Sequence, residues 1–294
     1  MKKIIIGSRG SDLALWQANF VQDEIRKQGH EAKIKIISTQ GDSIQDLSFD
    51  KMEGKGFFTK EIEAALLDCS IDLAVHSHKD LETTSPKGLK IAAVSSRENP
   101  AELLLIRNES TNDDLPLGIK ENPVIGTSSA RRKSQLITFR DDITIKDLRG
   151  NVPTRIQKLR DGKYDAILLA MAGVKRLELD LSDLTTSTLD PTLFIPAPAQ
   201  GVLGLQIREE DAALAEVLTH INDTDVQHRI GIEREVLRRL EGGFQMPVGV
   251  YCDTTDEVHV AFANEWKDGA SFSTHSAKDN PEIAQEIVSF LKVN

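Results

Sequence analysis

Lys3-Ile4-Ile5-Ile6-Gly7-Ser8-Arg9-Gly10-Ser11-Asp12-Leu13-Ala14-Leu15-Trp16-Gln17-Ala18 runs from an apolar stretch through a glycine- and serine-rich break into an apolar-periodic segment. The first part reads as a strand over 3–6, the break as a loop over 7–12, and the remainder as a helix over 13–27. Working outward, strands are predicted at 32–38, 72–75 and 89–94, with a helix at 58–67. Alternation of this kind indicates a largely parallel sheet. The segment 42–56 is charged, contains glycine and is long for a compact connection. It is expected either to form a lid or to be a surface insertion.

Near residue 96 the pattern restarts, with strands at 102–106, 124–125 and 143–146 and a helix at 129–138. A helix at 153–160, with Pro153 in its first turn and Gly162 at its C-cap, leads to a strand at 164–169 and a helix at 172–177. After Pro191, Pro196 and Pro198, the run 201–207 reads as a strand that returns to the first sheet. The remainder, with a helix at 226–240, strands at 248–251, 257–263 and 270–275, and a helix at 281–291, reads as a small α+β domain. The domains are therefore 1–95 with 196–215, then 96–195, then 216–294.

The chain has 294 residues, 39% hydrophobic and 28% charged, a composition that fits a soluble multi-domain enzyme. A formal net charge of −10 argues against nucleic-acid or anionic-membrane partners. No apolar run reaches signal-peptide or membrane-span length, and the two cysteines, Cys69 and Cys252, lack metal-site spacing. A cytoplasmic location is expected.

In open α/β sheets ligands bind beyond the carboxyl ends of the strands, so the segments after each strand carry the chemistry. Arg9 and Ser11 follow the first strand. His76-Ser77-His78-Lys79-Asp80 follows the third, with Asp80 the acid–base candidate. The two histidines lack a third ligand, so no metal is expected. Thr127, Ser129, Arg131 and Arg132 open a helix whose positive end disfavours two arginines, a conflict that an anion would relieve. Arg149, Arg155 and Arg176 follow later strands. Several guanidinium forks facing one cleft point to a ligand with several carboxylates, with phosphate as the open alternative.

These segments resemble the hydroxymethylbilane synthase (porphobilinogen deaminase) family, and the likeness spans essentially the whole chain. Its carriers are Gly7-Ser8-Arg9, Leu13-Ala14-Leu15-Trp16-Gln17-Ala18, Gly54-Lys55-Gly56, Phe58-Thr59-Lys60-Glu61, Asp72-Leu73-Ala74-Val75-His76-Ser77, Lys79-Asp80, Gly126-Thr127-Ser128-Ser129, Arg131-Arg132, Leu148-Arg149-Gly150-Asn151-Val152, Thr154-Arg155 and Leu240-Glu241-Gly242-Gly243. The resemblance implies two similar α/β domains of periplasmic-binding-protein type flanking a cleft, plus a small α+β C-terminal domain. It implies a transferase of haem biosynthesis that joins four porphobilinogen units head to tail, with loss of ammonia, on a cysteine-bound dipyrromethane cofactor; a monomer is expected separately, since no heptad seam demands assembly. By the same resemblance Asp80 is the catalytic carboxylate. Arg9, Arg131, Arg132, Arg149, Arg155 and Arg176 bind substrate or cofactor carboxylates, assisted by Ser11, Lys55, Ser77, Lys79, Thr127, Ser129 and Gln200.

The sequence departs from the family where the cofactor-bearing cysteine stands, because Phe244 follows Gly242-Gly243. Phenylalanine forms no thioether, so covalent attachment at this position is excluded; Cys252, eight residues further on, and Cys69, at the end of a first-domain helix, are not natural substitutes, which leaves noncovalent binding of a dipyrromethane as the expectation. Glu82, Ala199 and Gln206 replace the proline, glycine and glutamate usual in the family, and His78 an apolar residue. Three readings remain: an enzyme with a noncovalent cofactor, a noncatalytic pyrrole- or bilane-binding homologue, and a two-lobed solute-binding protein.

Overall fold

The structure, a computed structural model, describes residues 3–39, 59–241 and 246–293. Phe244 and the whole of the expected lid, Lys55 included, lie outside the described residues. The described chain divides into two compact units. One holds 3–39, 59–98 and 200–228; the other holds 99–199, 229–241 and 246–293.

The first unit is built on strands β1 (Ile4–Ser8), β2 (Ala32–Ile36), β3 (Leu73–Ser77), β4 (Leu89–Val94) and β10 (Leu203–Arg208), in the order β2-β1-β3-β10-β4. β1 pairs in parallel with β2 and β3, and β10 runs antiparallel to β3 and β4. Helix α1 (Asp12–Lys27) covers one face. Ser11 is its N-cap, Asp12 sits in its first turn and Arg26 and Lys27 in its last, each charge opposite to the nearby helix end. Ala18, Val21 and Ile25, at helical spacing, are fully buried against Ile6, Leu73 and Leu205. Each Val or Ile buried this way contributes about 1.5–3 kcal/mol. Helix α2 (Lys60–Leu67) supplies Ile62 and Leu66 to a separate core cluster that holds Ile71, Ala74 and Leu89.

The second unit repeats the plan. Strands β5 (Glu102–Arg107), β6 (Val124–Gly126), β7 (Thr144–Lys146), β8 (Ala166–Ala170) and β9 (Leu184–Leu189) take the order β7-β6-β8-β5-β9. β6 is parallel to β7 and β8, while β5 is antiparallel to β8 and β9. Helices α3 (Ala130–Phe139), α4 (Val152–Arg160) and α5 (Met171–Arg176) follow β6, β7 and β8. The two sheets thus share one pattern, three parallel strands followed by an antiparallel fourth and a fifth that reverses again. Strands β5 and β10 are the antiparallel part of sheets expected to be largely parallel. No helix connects β4 to β5 or β9 to β10, so no βαβ crossover sets the direction of either strand.

The same unit carries an antiparallel sheet, β11 (Val248–Cys252), β12 (Glu257–Phe262) and β13 (Ser271–Ser276). It shares a core with helix α8 (Ile283–Val293) and with Val236 of helix α7 (Thr224–Arg239). Helix α6 (Ala212–Leu218) and strand β9 were not expected from the sequence. β9 reads Leu-Thr-Thr-Ser-Thr-Leu and lies at a sheet edge, where polar side chains face water and leave no apolar alternation to detect.

Candidate functional site

β1 and β3 are parallel neighbours, so their carboxyl ends lie together at one edge of the first sheet. That edge carries a cleft of about 80 Å³ lined by Arg9, Ser11, Leu13, Ala14, Gln17, Thr59, Ile62, Val75, His76, Ser77 and Asp80. His76 and Ser77 are strand residues rather than loop residues, because β3 continues to Ser77 with Leu203 and Gly204 of β10 as their partners. A single turn of 3-10 helix, His78–Asp80, then presents Asp80 half-buried in the cleft. Leu81 donates its backbone N–H to the His78 carbonyl and closes that turn.

Gln17, which the sequence reading left out of the site, donates from Nε2 to Ser77 Oγ at 2.8 Å. A signal was available: Gln17 stands one turn before Val21 and two before Ile25 in the buried stripe of α1, where an apolar residue is expected. His76 is buried and its Nε2 lies 3.1 Å from Gln206 Oε1, while Gln206 Nε2 donates to Glu63 Oε1 at 3.1 Å. Burial, with Arg9 adding to it, holds the imidazole down at about 4 against the opposing hydrogen bond from Gln206. Burial pushes Glu63 up, and Glu82 pushes it further.

Lys79 Nζ donates to Gln200 Oε1 at 3.0 Å, and Arg97 Nε donates to the Gln200 carbonyl at 2.9 Å. Gln200 is fully buried, so it acts on Lys79 instead of standing open to solvent. Gly201 beside it has φ +91°, and a Cβ there would meet the Glu98 carbonyl oxygen at 2.3 Å. Only glycine allows this close passage.

In the second unit the carboxyl ends of β7, β6 and β8 again share an edge. Thr127 and Ser129 leave β6, Arg149 and Arg155 follow β7, and Arg176 lies on α5 after β8. Ser129 caps α3 by accepting from the Arg132 N–H at 3.5 Å, and its own N–H donates to Thr127 Oγ1 at 3.3 Å. Arg131 and Arg132 find an anion inside the protein. Glu102, fully buried on β5, accepts from Arg131 Nη2 at 2.5 Å and from Arg132 Nη2 at 2.6 Å. Arg131 Nη1 also donates to the Ile195 carbonyl and Arg132 Nη1 to that of Leu168. Arg132 Nε is buried with no hydrogen-bond partner among the described residues. Arg155 Nε donates to the Gly150 carbonyl at 2.7 Å, and Arg149 and Arg155 are half-buried, whereas Arg176 is buried.

Neither cysteine replaces the missing attachment point well. Cys252 on β11 is buried, and burial pushes its thiol up to about 12, so the nucleophilic thiolate is scarce at neutral pH. Its N–H donates to Glu233 Oε1 at 2.9 Å, and Glu233 Oε2 accepts from Ala199 N–H at 2.7 Å. Ala199 has φ +60°, a backbone conformation that suits the glycine usual at this position. Cys69 is exposed beyond the end of α2. Among the described residues no group of three or more His, Cys, Asp or Glu could hold a metal, and no helix is long and apolar enough to cross a membrane.

Fold and site together define an α/β protein with two sheets of one pattern, a carboxylate and an arginine at the carboxyl edge of the first and an arginine cluster at that of the second. A family model described as porphobilinogen deaminase, dipyromethane cofactor binding domain, matches residues 4–216, and the chain belongs to the porphobilinogen deaminase family. A porphobilinogen deaminase of Oceanobacillus iheyensis is 40% identical over 297 residues, covering 99% of this chain and 94% of its own. One of Bacillus cereus is 43% identical over 258 residues, covering 87% and 82%. Among solved structures, the substrate binding protein of an amino acid ABC transporter aligns with TM-score 0.38 and 14% identity over 82% of this chain and 95% of its own. An ancestral arginine-binding protein aligns with TM-score 0.37 and 14% identity over 75% and 91%. Likeness at that level carries no functional argument.

Proposed function

We propose that this chain condenses four porphobilinogen molecules head to tail, releasing four ammonia molecules and consuming one water, to give hydroxymethylbilane, with any dipyrromethane held without a covalent bond. The observation that carries this is the placement of Asp80 in one cleft with Arg9, Gln17 and Ser77. In each cycle the aminomethyl C–N bond of a porphobilinogen breaks and ammonia leaves, so positive charge develops on the methylene-pyrrole. The carboxylate of Asp80 stabilises that charge and orients the pyrrole N–H. The free pyrrole carbon at the end of the growing chain forms the new C–C bond to that methylene and loses its proton. After four cycles water cleaves the bond between the starting pyrrole and the first unit, its hydroxyl going to that unit's methylene carbon and its proton to the starting pyrrole carbon.

Arg9, Arg149, Arg155 and Arg176 would hold acetate and propionate groups, as would the donors of Arg131 and Arg132 that Glu102 leaves over. The buried Arg132 Nε suits a carboxylate oxygen, which favours a polycarboxylate group at this edge. Ser11, Ser77, Lys79, Thr127, Ser129 and Gln200 would position these groups, and Lys55 belongs to the same proposal. When bound, dipyrromethane supplies the pyrrole carbon that starts the chain. The sheets support a division into domains 1–95 with 196–215, 96–195 and 216–294, and we place the protein in the cytoplasm as a monomer without nucleic-acid or membrane partners.

A second reading, a noncatalytic pyrrole- or bilane-binding homologue, is favoured by Phe244 alone. Purified protein and its Phe244→Cys variant, each given porphobilinogen, separate the two when ammonia, linear tetrapyrrole and denatured intact mass are followed. Turnover by the unaltered chain with no added mass supports noncovalent catalysis. Activity and a stable dipyrrole adduct confined to the cysteine variant would instead establish the binding-protein reading.

A further inference from the structure

We propose that Gln206 holds His76 as the neutral Nε2–H tautomer, with Glu63 fixing which way the Gln206 amide faces, so that His76 adds no second positive charge to the Arg9–Asp80 cleft. The inference rests on the reading of that cleft as the reacting site, and it makes His76 and Gln206 positioning residues.

The polarity runs inward from Glu63. An ionised carboxylate only accepts hydrogen bonds, so the Gln206 nitrogen must face Glu63, as the 3.1 Å Nε2···Oε1 contact has it. The amide oxygen is thereby turned toward His76 Nε2, at 3.1 Å. An amide oxygen also only accepts, so Nε2 must carry the imidazole proton. A second proton on Nδ1 would create a buried cation beside Arg9, and the nearest groups oppose it. His76 is nearly inaccessible to solvent, and Arg9 lines the same cleft. Asp80, also in that cleft, is half-exposed. Glu63 acts on His76 only through the neutral amide, and Glu82 lies on the Glu63 side of the relay. A glutamate at position 206, usual in the family, would put a full negative charge against Nε2 and favour imidazolium. Glutamine removes that charge and keeps the hydrogen bond. In a reaction that develops positive charge at Asp80, a neutral His76 leaves the carboxylate opposed, among the described titratable side chains that line the cleft, by Arg9.

Histidine-selective ¹⁵N labelling of the full chain, read by two-bond ¹H–¹⁵N correlation at about pH 8, where Glu63 is ionised, tests the relay. The His76 signal is assigned by its loss in His76→Asn. The expected result is the Nε2–H tautomer in the unaltered protein. In Glu63→Gln, whose amide can donate or accept, both tautomers are expected, and in Gln206→Glu the imidazolium. Glu63 is half-buried on α2, so Glu63→Gln keeps the test decisive should Gln206→Glu fail to fold. An Nδ1–H tautomer or an imidazolium in the unaltered protein, or a Glu63→Gln spectrum with the Nε2–H form alone, overturns the proposal. In porphobilinogen turnover, Gln206→Glu is expected to lower kcat about tenfold with KM little changed. An unchanged kcat overturns the charge argument. A chain without turnover would defeat the catalytic reading, while the histidine spectrum would still decide the tautomer.

Discussion

Arg131 Nη2 lies 2.5 Å from Glu102 Oε1, and the same carboxylate holds Arg132 through its other oxygen, with all three side chains buried. One negative charge thus offsets two positive ones at the start of α3. Burial pulls Arg131 below the usual guanidinium range, and Glu102 opposes that shift. Glu102→Gln keeps the shape and removes the charge, leaving two buried cations without their ion-pair partner among the described residues. Unfolding in urea is expected to show a loss of about 3–5 kcal/mol.

Asp80 is half-buried in the cleft and is not part of a hydrophobic core cluster, so its removal separates chemistry from folding. Asp80→Asn is expected to lower ammonia release from porphobilinogen about 10²- to 10⁴-fold. Its thermal midpoint should stay within about 2 °C of the unaltered protein. A melting curve beside the ammonia assay checks both.

The depressed His76 makes stability depend on pH. Its folded value is about 4 against 6.5 for the free side chain, so between those values the unfolded chain binds the extra proton. Stability from this group is therefore complete above about pH 6.5 and is lost as the pH falls toward about 4, by about 3 kcal/mol in all. Urea unfolding of the unaltered protein and of His76→Asn across that range should show a slope flattened by this amount in the variant.

Thiol accessibility differs between the two cysteines. Exposed Cys69 should take up maleimide within minutes, while Cys252, buried with its thiol pushed up to about 12, should react only after denaturation. Intact mass after labelling should show one adduct on the folded protein and two on the unfolded one. Rapid double labelling of the folded chain would restore Cys252 as a possible attachment point.

Much of this was legible in the linear order of residues because local physics writes it there. The strand–loop–helix start at 4–27 follows from an apolar run, a serine cap and helical spacing. The return of 203–208 to the first sheet, and the positions of Arg9, Asp80 and the arginine loops at strand ends, followed from alternation and from the rule that ligands meet carboxyl edges. Edge strand β9 escaped because nothing apolar marks it, and α6 because Ala-Ala-Leu-Ala-Glu-Val-Leu is too short for periodicity to separate from a buried strand.

The sequence by itself determined the family, the succession of elements, the residue types at the strand ends and the lack of a sulfur at position 244. These depend on side-chain identity and near neighbours. The tertiary structure alone decided how those groups are partnered. Glu102 lies 29 and 30 residues from the arginines it neutralises, Gln206 lies 130 from His76 and 143 from Glu63, and Gln200 lies 121 from Lys79. Buried charge and hydrogen-bond polarity are set by whatever the fold brings within about 3 Å, and sequence separation carries no record of that distance.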